Sequence, residues 1–394
     1  MTDRLYYTEP SLREFDATVV AVERRDGRML VRLDRSAFYP ASGGQPFDTG
    51  TLGSARIVDV FDDAGGDVAH AIEGHELLVG QSVHGAIDWL RRFDHMQQHT
   101  GQHILSAAFD TLFDARTASF HLGAESSTID LEGEMTPAQI AAAEQEANRI
   151  VWEDRDVAIR FASPEDAVRL PLRKAPKKAG TLRLIDVGGF DLSACGGTHV
   201  ARTGEVGLIA VGSWERFKGG QRIEFLCGGR ALARFRSLRD TMASAVRVLS
   251  VSPSEVPEAI ERLQNDVKEQ RRELLARQHE LARYRADEMA AVAEDTVRGR
   301  MVARAIDADA NGLKALASGL TARPGLIAVL VSTTAPALIV IARSADVDVR
   351  SNEILASLTT TFGGRGGGKP DLAQGGGLNG SAEDILAAAR RLLI

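Results

Sequence analysis

With 394 residues, 44% of them hydrophobic, the chain is long enough for two to four domains, each with its own core. Two cysteines exclude a disulfide framework, and a net charge of −7 excludes a general electrostatic pull on nucleic acid, so any such contact must come from local basic patches. The opening Met-Thr-Asp-Arg-Leu-Tyr-Tyr lacks the apolar stretch of a signal peptide, and no uncharged apolar run approaches the ~18 residues of a membrane span, which predicts a soluble, cytoplasmic protein.

Residues 1–90 read as strands. Thr18–Val22 and Met29–Leu33 flank the hairpin signal Arg25-Asp26-Gly27-Arg28, and Ile57–Phe61 and Val68–Ile72 flank a turn holding Gly65 and Gly66. Short strands with glycine-rich turns predict a small β-barrel, interrupted by the loop Phe38-Tyr-Pro-Ala-Ser-Gly-Gly-Gln-Pro46. From about residue 95 the period becomes helical, and Pro137 opens a second helix that runs to about Trp152. Strands are expected at Val157–Phe161, Leu182–Val187 and Glu205–Val211, making residues 91–249 an α+β domain that ends in a helix over 229–248.

Pro253 breaks the next stretch. Beyond it Ile260, Val267, Leu274 and Leu281 fall seven apart, with Leu263 and Tyr284 on a companion seam that Gln270 and Arg277 interrupt. This predicts a coiled-coil arm or helical hairpin over 250–300; the alternative is one amphipathic helix packed on a neighbouring domain. Residues 301–394, with Leu326–Ser332 and Ala337–Ala342 as strands, predict a small C-terminal α/β domain.

Chemistry concentrates in His99-Thr-Gly-Gln-His103 and Cys195-Gly-Gly-Thr-His199. On a helix His99 and His103 lie one turn apart on one face, and Cys/His sets favour zinc. The two glycines of the second motif suit a tight loop that lets backbone approach an ion or substrate. His103 and Cys195 lie 92 positions apart, so the fold must close the site. Four protein ligands point to a structural zinc, whereas a catalytic zinc keeps one position open; spacing alone leaves both readings standing. His95 extends the histidine row, but eight residues span about 12 Å of helix, so it does not share an ion with His103; it is read as a substrate contact or supporting residue, with a plain helix-surface histidine as the alternative. A His-Glu-x-x-His protease is excluded because Thr100, Gly101 and Gln102 supply no carboxylate. Gly363-Gly-Arg-Gly-Gly-Gly-Lys369 fits the phosphate-loop spacing, but Pro370 stands where Ser or Thr is required, so we read an ordered loop whose backbone, Arg365 and Lys369 can hold phosphate. Arg169, Arg173, Lys174, Lys177, Lys178 and Arg183 form a basic stretch suited to RNA phosphates, with a solvated surface loop as the alternative. Cys227 has no partner and is expected to be a small buried residue.

Together these motifs resemble the AlaX-type alanyl-tRNA editing proteins, free-standing relatives of the editing domain of alanyl-tRNA synthetase. Phe38–Gln45 resembles the barrel motif that precedes that domain, Arg222-Ile-Glu-Phe225 its end, and Gly363–Gln374 the DHH-associated C-terminal domain. The matches run nearly the whole chain in family order, starting at the barrel, as in the long AlaX class without an aminoacylation domain. The resemblance implies trans-editing hydrolysis of mischarged Ser-tRNA(Ala), with Gly-tRNA(Ala) as a second substrate. It also implies Zn2+ on His99, His103, Cys195 and His199, and tRNA(Ala) as partner, with the arm and C-terminal domain as a homodimer element. It places a polar pocket residue at His121, as substrate contact or proton relay. Gln102 or Thr198 would bond the serine hydroxyl, Gly196 or Gly197 the oxyanion, and Gly43 and Gly44 would reach the pocket from the barrel. Two other readings remain: a non-catalytic tRNA-binding protein with structural zinc, and a zinc hydrolase of small molecules, which would need neither the basic stretch nor the glycine-rich tail. A DHH-type phosphoesterase is excluded, since no Asp-His-His motif occurs.

Overall fold

The computed structural model describes residues 1–25, 27–174 and 180–393. The architecture is mixed α+β, and the chain divides into two compact units, Met1–Ser244 and Ala245–Ile394. Among the described residues no helix is long and apolar enough to cross a membrane.

The first unit opens with the closed barrel: β1 (Glu14–Arg25), β2 (Arg28–Leu33), β3 (Gly50–Leu52), β4 (Ala55–Asp62), β5 (Val68–Glu73) and β6 (Ser82–Ile87), joined in the order β1-β2-β5-β4-β3-β6. Alternate residues such as Val31, Leu33, Ile57 and Val83 point inward, with Phe15 and Phe38 edge-to-face among them. The loop after β2 narrows at Ser42-Gly-Gly-Gln45, where Ser42 and Gln45 exchange backbone hydrogen bonds. Gly43 and Gly44 between them have φ of 56° and 85°, the left-handed region that a primed two-residue turn demands at both central positions.

Helix α1 (Trp89–Phe113) starts at Asp88, whose side chain accepts from the Arg91 N–H, and stops at Asp114 in left-handed conformation. It runs through the middle of the unit and is buried continuously from His95 to Phe109. Around it lie α2 (Pro137–Trp152), a four-stranded sheet and a three-stranded sheet. The first sheet is formed by β7 (Thr117–Leu122) and β8 (Ser127–Leu131) with two later strands. The second comprises β9 (Val157–Ala162), β10 (Leu182–Val187) and β11 (Asp191–Ala194). Helix α2 carries the expected proline at its start and a Thr136–Gln139 capping box. The strand expected over 205–211 is displaced: Thr203–Val206 is a 3-10 turn, Gly207 takes a φ of 81°, and β12 runs from Ile209 to Phe217 before β13 (Gly220–Cys227). The four-stranded order is β12-β13-β8-β7. Helix α3 (Gly228–Leu249) follows β13.

Two contacts fix α1 in this surround. Arg92 and Asp48 form a completely buried ion pair between α1 and the barrel loop. The Arg92 guanidinium also donates to the carbonyls of Pro10 and Ala37 at 2.8 and 2.5 Å, and Asp48 accepts the Tyr39 N–H at 2.6 Å. On another side, a Cβ on Gly101 would lie 2.2 Å from the Cys227 sulfur, so the helix can touch β13 only without a side chain there. Cys227 is fully buried as expected, and burial pushes its thiol up.

The second unit starts at Ala245, within α3, and continues into α4 (Val256–Ala291), a single 36-residue helix. The heptad residues Ile260, Val267, Leu274 and Leu281, with Leu263 and Tyr284, are all exposed, while Ala282, Ala286 and Ala290 near its end pack into the following core. That core surrounds a six-stranded sheet: β14 (Glu294–Thr296), β15 (Gly299–Ile306), β16 (Leu326–Ser332), β17 (Ala337–Arg343), β18 (Arg365–Gly368) and β19 (Leu372–Leu378), in the order β14-β15-β16-β17-β19-β18. Helix α5 (Ala310–Thr321) makes the crossover between the parallel pair β15 and β16. Along β16, Ile327, Val329 and Val331 face α6 (Ser351–Phe362) and α7 (Ala382–Leu393), and Leu326, Ala328 and Leu330 face α4 and α5. The glycine-rich tail is not the expected loop: it folds as the edge hairpin β18–β19, preceded by a helix and followed by a strand, the reverse of a phosphate loop.

Arg92→Met should cost about 3–5 kcal/mol in denaturant unfolding, because it leaves Asp48 charged and buried; adding Asp48→Leu should recover much of that loss. Gly101→Ala should lower the melting temperature through the Cys227 clash. In a Cys227→Ala background, the same change should be neutral or stabilising by up to about 1 kcal/mol, the ordinary helix preference for alanine.

Candidate metal centre

A buried helix is normally apolar, yet α1 buries Gln97, Gln98, His99, Thr100, Gln102, His103 and Ser106. Burying polar groups is tolerated when they find partners, and most of these do. Gln98 bonds the Cys227 backbone in both directions, at 2.8 and 3.1 Å, and Gln97 donates to the Glu205 carbonyl.

His99 and His103 lie one turn apart on α1, Cys195 directly follows β11, and His199 lies in the loop beyond it. One ligand atom from each residue falls within 4.8 Å of the other three. The Cys195 sulfur is 3.3 Å from His99 Nε2 and 3.4 Å from His199 Nε2. Tetrahedral bonds of about 2.0 Å to nitrogen and 2.3 Å to sulfur would separate such atoms by about 3.5 Å, so the donor set fits a zinc-sized ion. The structure therefore brings together all four residues that the sequence singled out as ligands.

Each imidazole is held from behind through Nδ1, by a different element. His99 Nδ1 meets Gln45 Oε1 at 2.8 Å, His103 Nδ1 meets Asp191 Oδ2 at 2.8 Å, and His199 Nδ1 meets Thr100 Oγ1 at 3.1 Å. Asp191 is itself held by Arg173 Nε at 2.6 Å and Ser193 Oγ at 3.0 Å. Burial opposes charge on His103, but its bond to Asp191 and the nearby sulfur raise its pKa to about 9. Burial likewise opposes the Asp191 carboxylate, yet His103 and Arg173 bring it to about 2. Burial, together with His99, pushes His199 down to about 3. Burial disfavours the Cys195 thiolate, but the histidines outweigh it and hold the thiol well below its usual value. The thiolate is the form in which cysteine binds metal, and the Nδ1 partners orient the rings for binding; His103 would release its extra proton as an ion enters.

The remaining candidates are scattered around this cluster. Thr198 is buried and receives the Gln45 amide at 2.8 Å. Gln102 is buried beside His103; its amide donates to Ser106, and its Oε1 has no partner among the described residues. A Cβ on Gly197 would fall 2.1 Å from the His99 ring, whereas Gly196 is exposed. Gly43 and Gly44 are exposed at the barrel turn, and the Gly44 carbonyl accepts the Leu122 N–H at 3.1 Å. His95 is buried with Nδ1 unpartnered among the described residues, outside the four-donor cluster, and burial lowers it to about 4. His121 is exposed on β7, next to Phe120, whose ring lies 5.8 Å from His99; successive strand residues face opposite ways, so the structure does not bring His121 to the cluster. Arg173 is directed at Asp191, and Arg183 is buried, donating to the carbonyls of Tyr7 and Cys195. Lys174, Arg365 and Lys369 are exposed, and Lys177 and Lys178 lie outside the described residues. Sequence reasoning missed the roles of Gln45, Asp191 and Thr100 as imidazole partners; Gln45 was visible only as the last residue of the barrel motif.

Residues 182–224 match the threonyl and alanyl tRNA synthetase second additional domain, and residues 298–394 match the DHHA1 domain. The chain is 33% identical to an alanine–tRNA ligase of Pyrococcus abyssi over 95% of its own length but 42% of the ligase, so it spans less than half of that relative. The C-Ala domain structure from Aquifex aeolicus alanyl-tRNA synthetase covers 26% of the chain at 26% identity with a TM-score of 0.23. The alanyl-tRNA editing protein AlaX-L of Pyrococcus horikoshii is 33% identical over 95% of this chain and 94% of its own. Matched end to end in this way, the chain belongs to the family of AlaX-type alanyl-tRNA editing proteins.

Proposed function

We propose that the protein is a trans-editing hydrolase that removes serine, and secondarily glycine, from mischarged tRNA(Ala), acting in the cytoplasm with zinc on His99, His103, Cys195 and His199. The carrying observation is the convergence of these four donors, each imidazole backed by its own hydrogen-bond partner, in a chain that spans nearly all of an AlaX-L protein. Zinc held by all four would order the pocket wall; were one of the four displaced, it would supply polarisation of the ester and its attacking water.

The surrounding residues take the following roles. The exposed backbone of Gly196 suits the oxyanion of the attacked ester. Gln102 Oε1, a buried acceptor without a partner among the described residues, would accept the serine hydroxyl; an alanyl ester would leave it unpaired, a loss of about 1–3 kcal/mol. Thr198 and Gly197 keep the Cys195–His199 loop against His99, and Gly43 and Gly44 close the barrel side. His95 lies outside the donor cluster and His121 on the far face of its strand, so neither carries the proton in this scheme; His121 is assigned to tRNA contact. Lys174, Lys177, Lys178, Arg365 and Lys369 would meet RNA phosphates, with Arg173 steadying His103 through Asp191. The exposed apolar row on α4 supports a homodimer through the arm.

A closed four-donor set is also what a structural zinc requires, which keeps a non-catalytic tRNA-binding protein as the second reading. Purified protein is therefore mixed with Ser-tRNA(Ala), Gly-tRNA(Ala) and Ala-tRNA(Ala), with Cys195→Ala in parallel. The seryl ester should disappear roughly 10- to 100-fold faster than the alanyl ester, and the variant should lose both this activity and bound zinc. Intact esters on tRNA that still binds would establish the second reading instead.

A further inference from the structure

We infer that Gln45, supplied by the barrel, is a positioning residue for the metal centre: its amide fixes the His99 ring with Nε2 turned toward the other three donors. The inference rests on the four-residue site holding a metal, and not on the editing reaction.

The orientation of the amide follows from its neighbours. The backbone N–H of Thr198 can only donate, and it lies 3.1 Å from Gln45 Oε1. That atom is therefore the carbonyl oxygen, an acceptor. The same oxygen faces His99 Nδ1 at 2.8 Å, so Nδ1 must carry the proton and Nε2 keeps its lone pair. The amide nitrogen, on the other side, donates to Thr198 Oγ1 at 2.8 Å. Three bonds thus hold a side chain that is only 2% exposed, and two of them go to the Cys-Gly-Gly-Thr-His loop itself.

The surrounding backbone is packed closely against this arrangement. A Cβ on Gly197 would meet His99 Cε1 at 2.1 Å, His99 Nδ1 at 2.3 Å and Gln45 Oε1 at 3.0 Å, so the second glycine of the motif lies directly against this hydrogen bond. A Cβ on Gly44 would meet the Phe120 ring at 2.9 Å, and Phe120 covers His99 at 5.8 Å. Gln45 is also three residues from Asp48, the partner of Arg92, and Arg92 lies seven residues, about 10 Å of helix, before His99. One stretch of barrel loop therefore grips α1 at two levels, by an ion pair above and by the His99 bond below. Outer partners of this kind set ligand orientation, and losing one typically costs 10- to 100-fold in metal affinity.

The test measures zinc affinity of the full chain by competition with a chromogenic chelator. The variants are Gln45→Leu, which removes the bond; Gln45→Asn, which keeps the amide but withdraws it by one methylene; and Gln45→Glu, which keeps an acceptor at the His99 side. Melting curves of the metal-free proteins serve as a folding control. Gln45→Leu and Gln45→Asn should each weaken zinc binding 10- to 100-fold with little change in metal-free melting, while Gln45→Glu stays within about threefold of the parent. Should Gln45→Leu fail to fold, the Asn and Glu pair carries the comparison. Parent-like affinity in both Leu and Asn variants overturns the assignment. A parent chain that binds no zinc overturns the metal site itself, a result distinguishable from the first.

Discussion

The buried ion pair between Arg92 and Asp48 is the constraint on which the first unit turns. Two charges removed from water are costly, and they are retained only when every polar atom is answered. Here the guanidinium also reaches the carbonyls of Pro10 and Ala37, and the carboxylate also takes the Tyr39 N–H. The pair therefore locks an N-terminal segment, the barrel loop and the first turn of α1 in one geometry. A merely apolar contact could slide; this one has a single register.

That register matters because α1 is a polar helix in a buried position. Its side chains can be satisfied only if the surrounding elements arrive at the right turn of the helix. Gln98 completes the backbone of β13, Gly101 admits the Cys227 sulfur, and the three histidines of the cluster look outward to a barrel glutamine, a sheet aspartate and a threonine of α1 itself. The cluster is thus assembled by the tertiary fold, in keeping with the long sequence interval between its two halves.

Much of this was legible in the sequence, for identifiable reasons. The ligands His99, His103, Cys195 and His199 stand out because their chemistry is rare and their spacing repeats. The barrel hairpins and the capped helix α2 stand out because glycine, proline and threonine have positional meanings. The second rank of the site was not legible. Nothing in the spacing of Gln45, Asp191 or Thr100 announces a histidine partner, since each reaches its imidazole only through the fold. Arg173 reads as one cation in a basic stretch, yet Asp191 draws it inward. His121 follows the first histidine pair by 18 residues and faces away from the site, which sequence could not show because strand parity is not fixed until the register with β8 is known. The glycine-rich tail suggested a loop because glycine is depleted in strands, but pairing with β19 overrides that preference.

The hairpin made by that tail leaves β18, Arg365-Gly-Gly-Gly368, as the outermost strand of its sheet. A glycine ribbon has no side chains with which to repel another strand, and exposed sheet edges invite intermolecular pairing. Arg365 and Lys369 bracket this ribbon with like charges, so a second copy approaching edge to edge brings cation against cation. Their placement matches that of the gatekeeper charges that guard exposed sheet edges against growth.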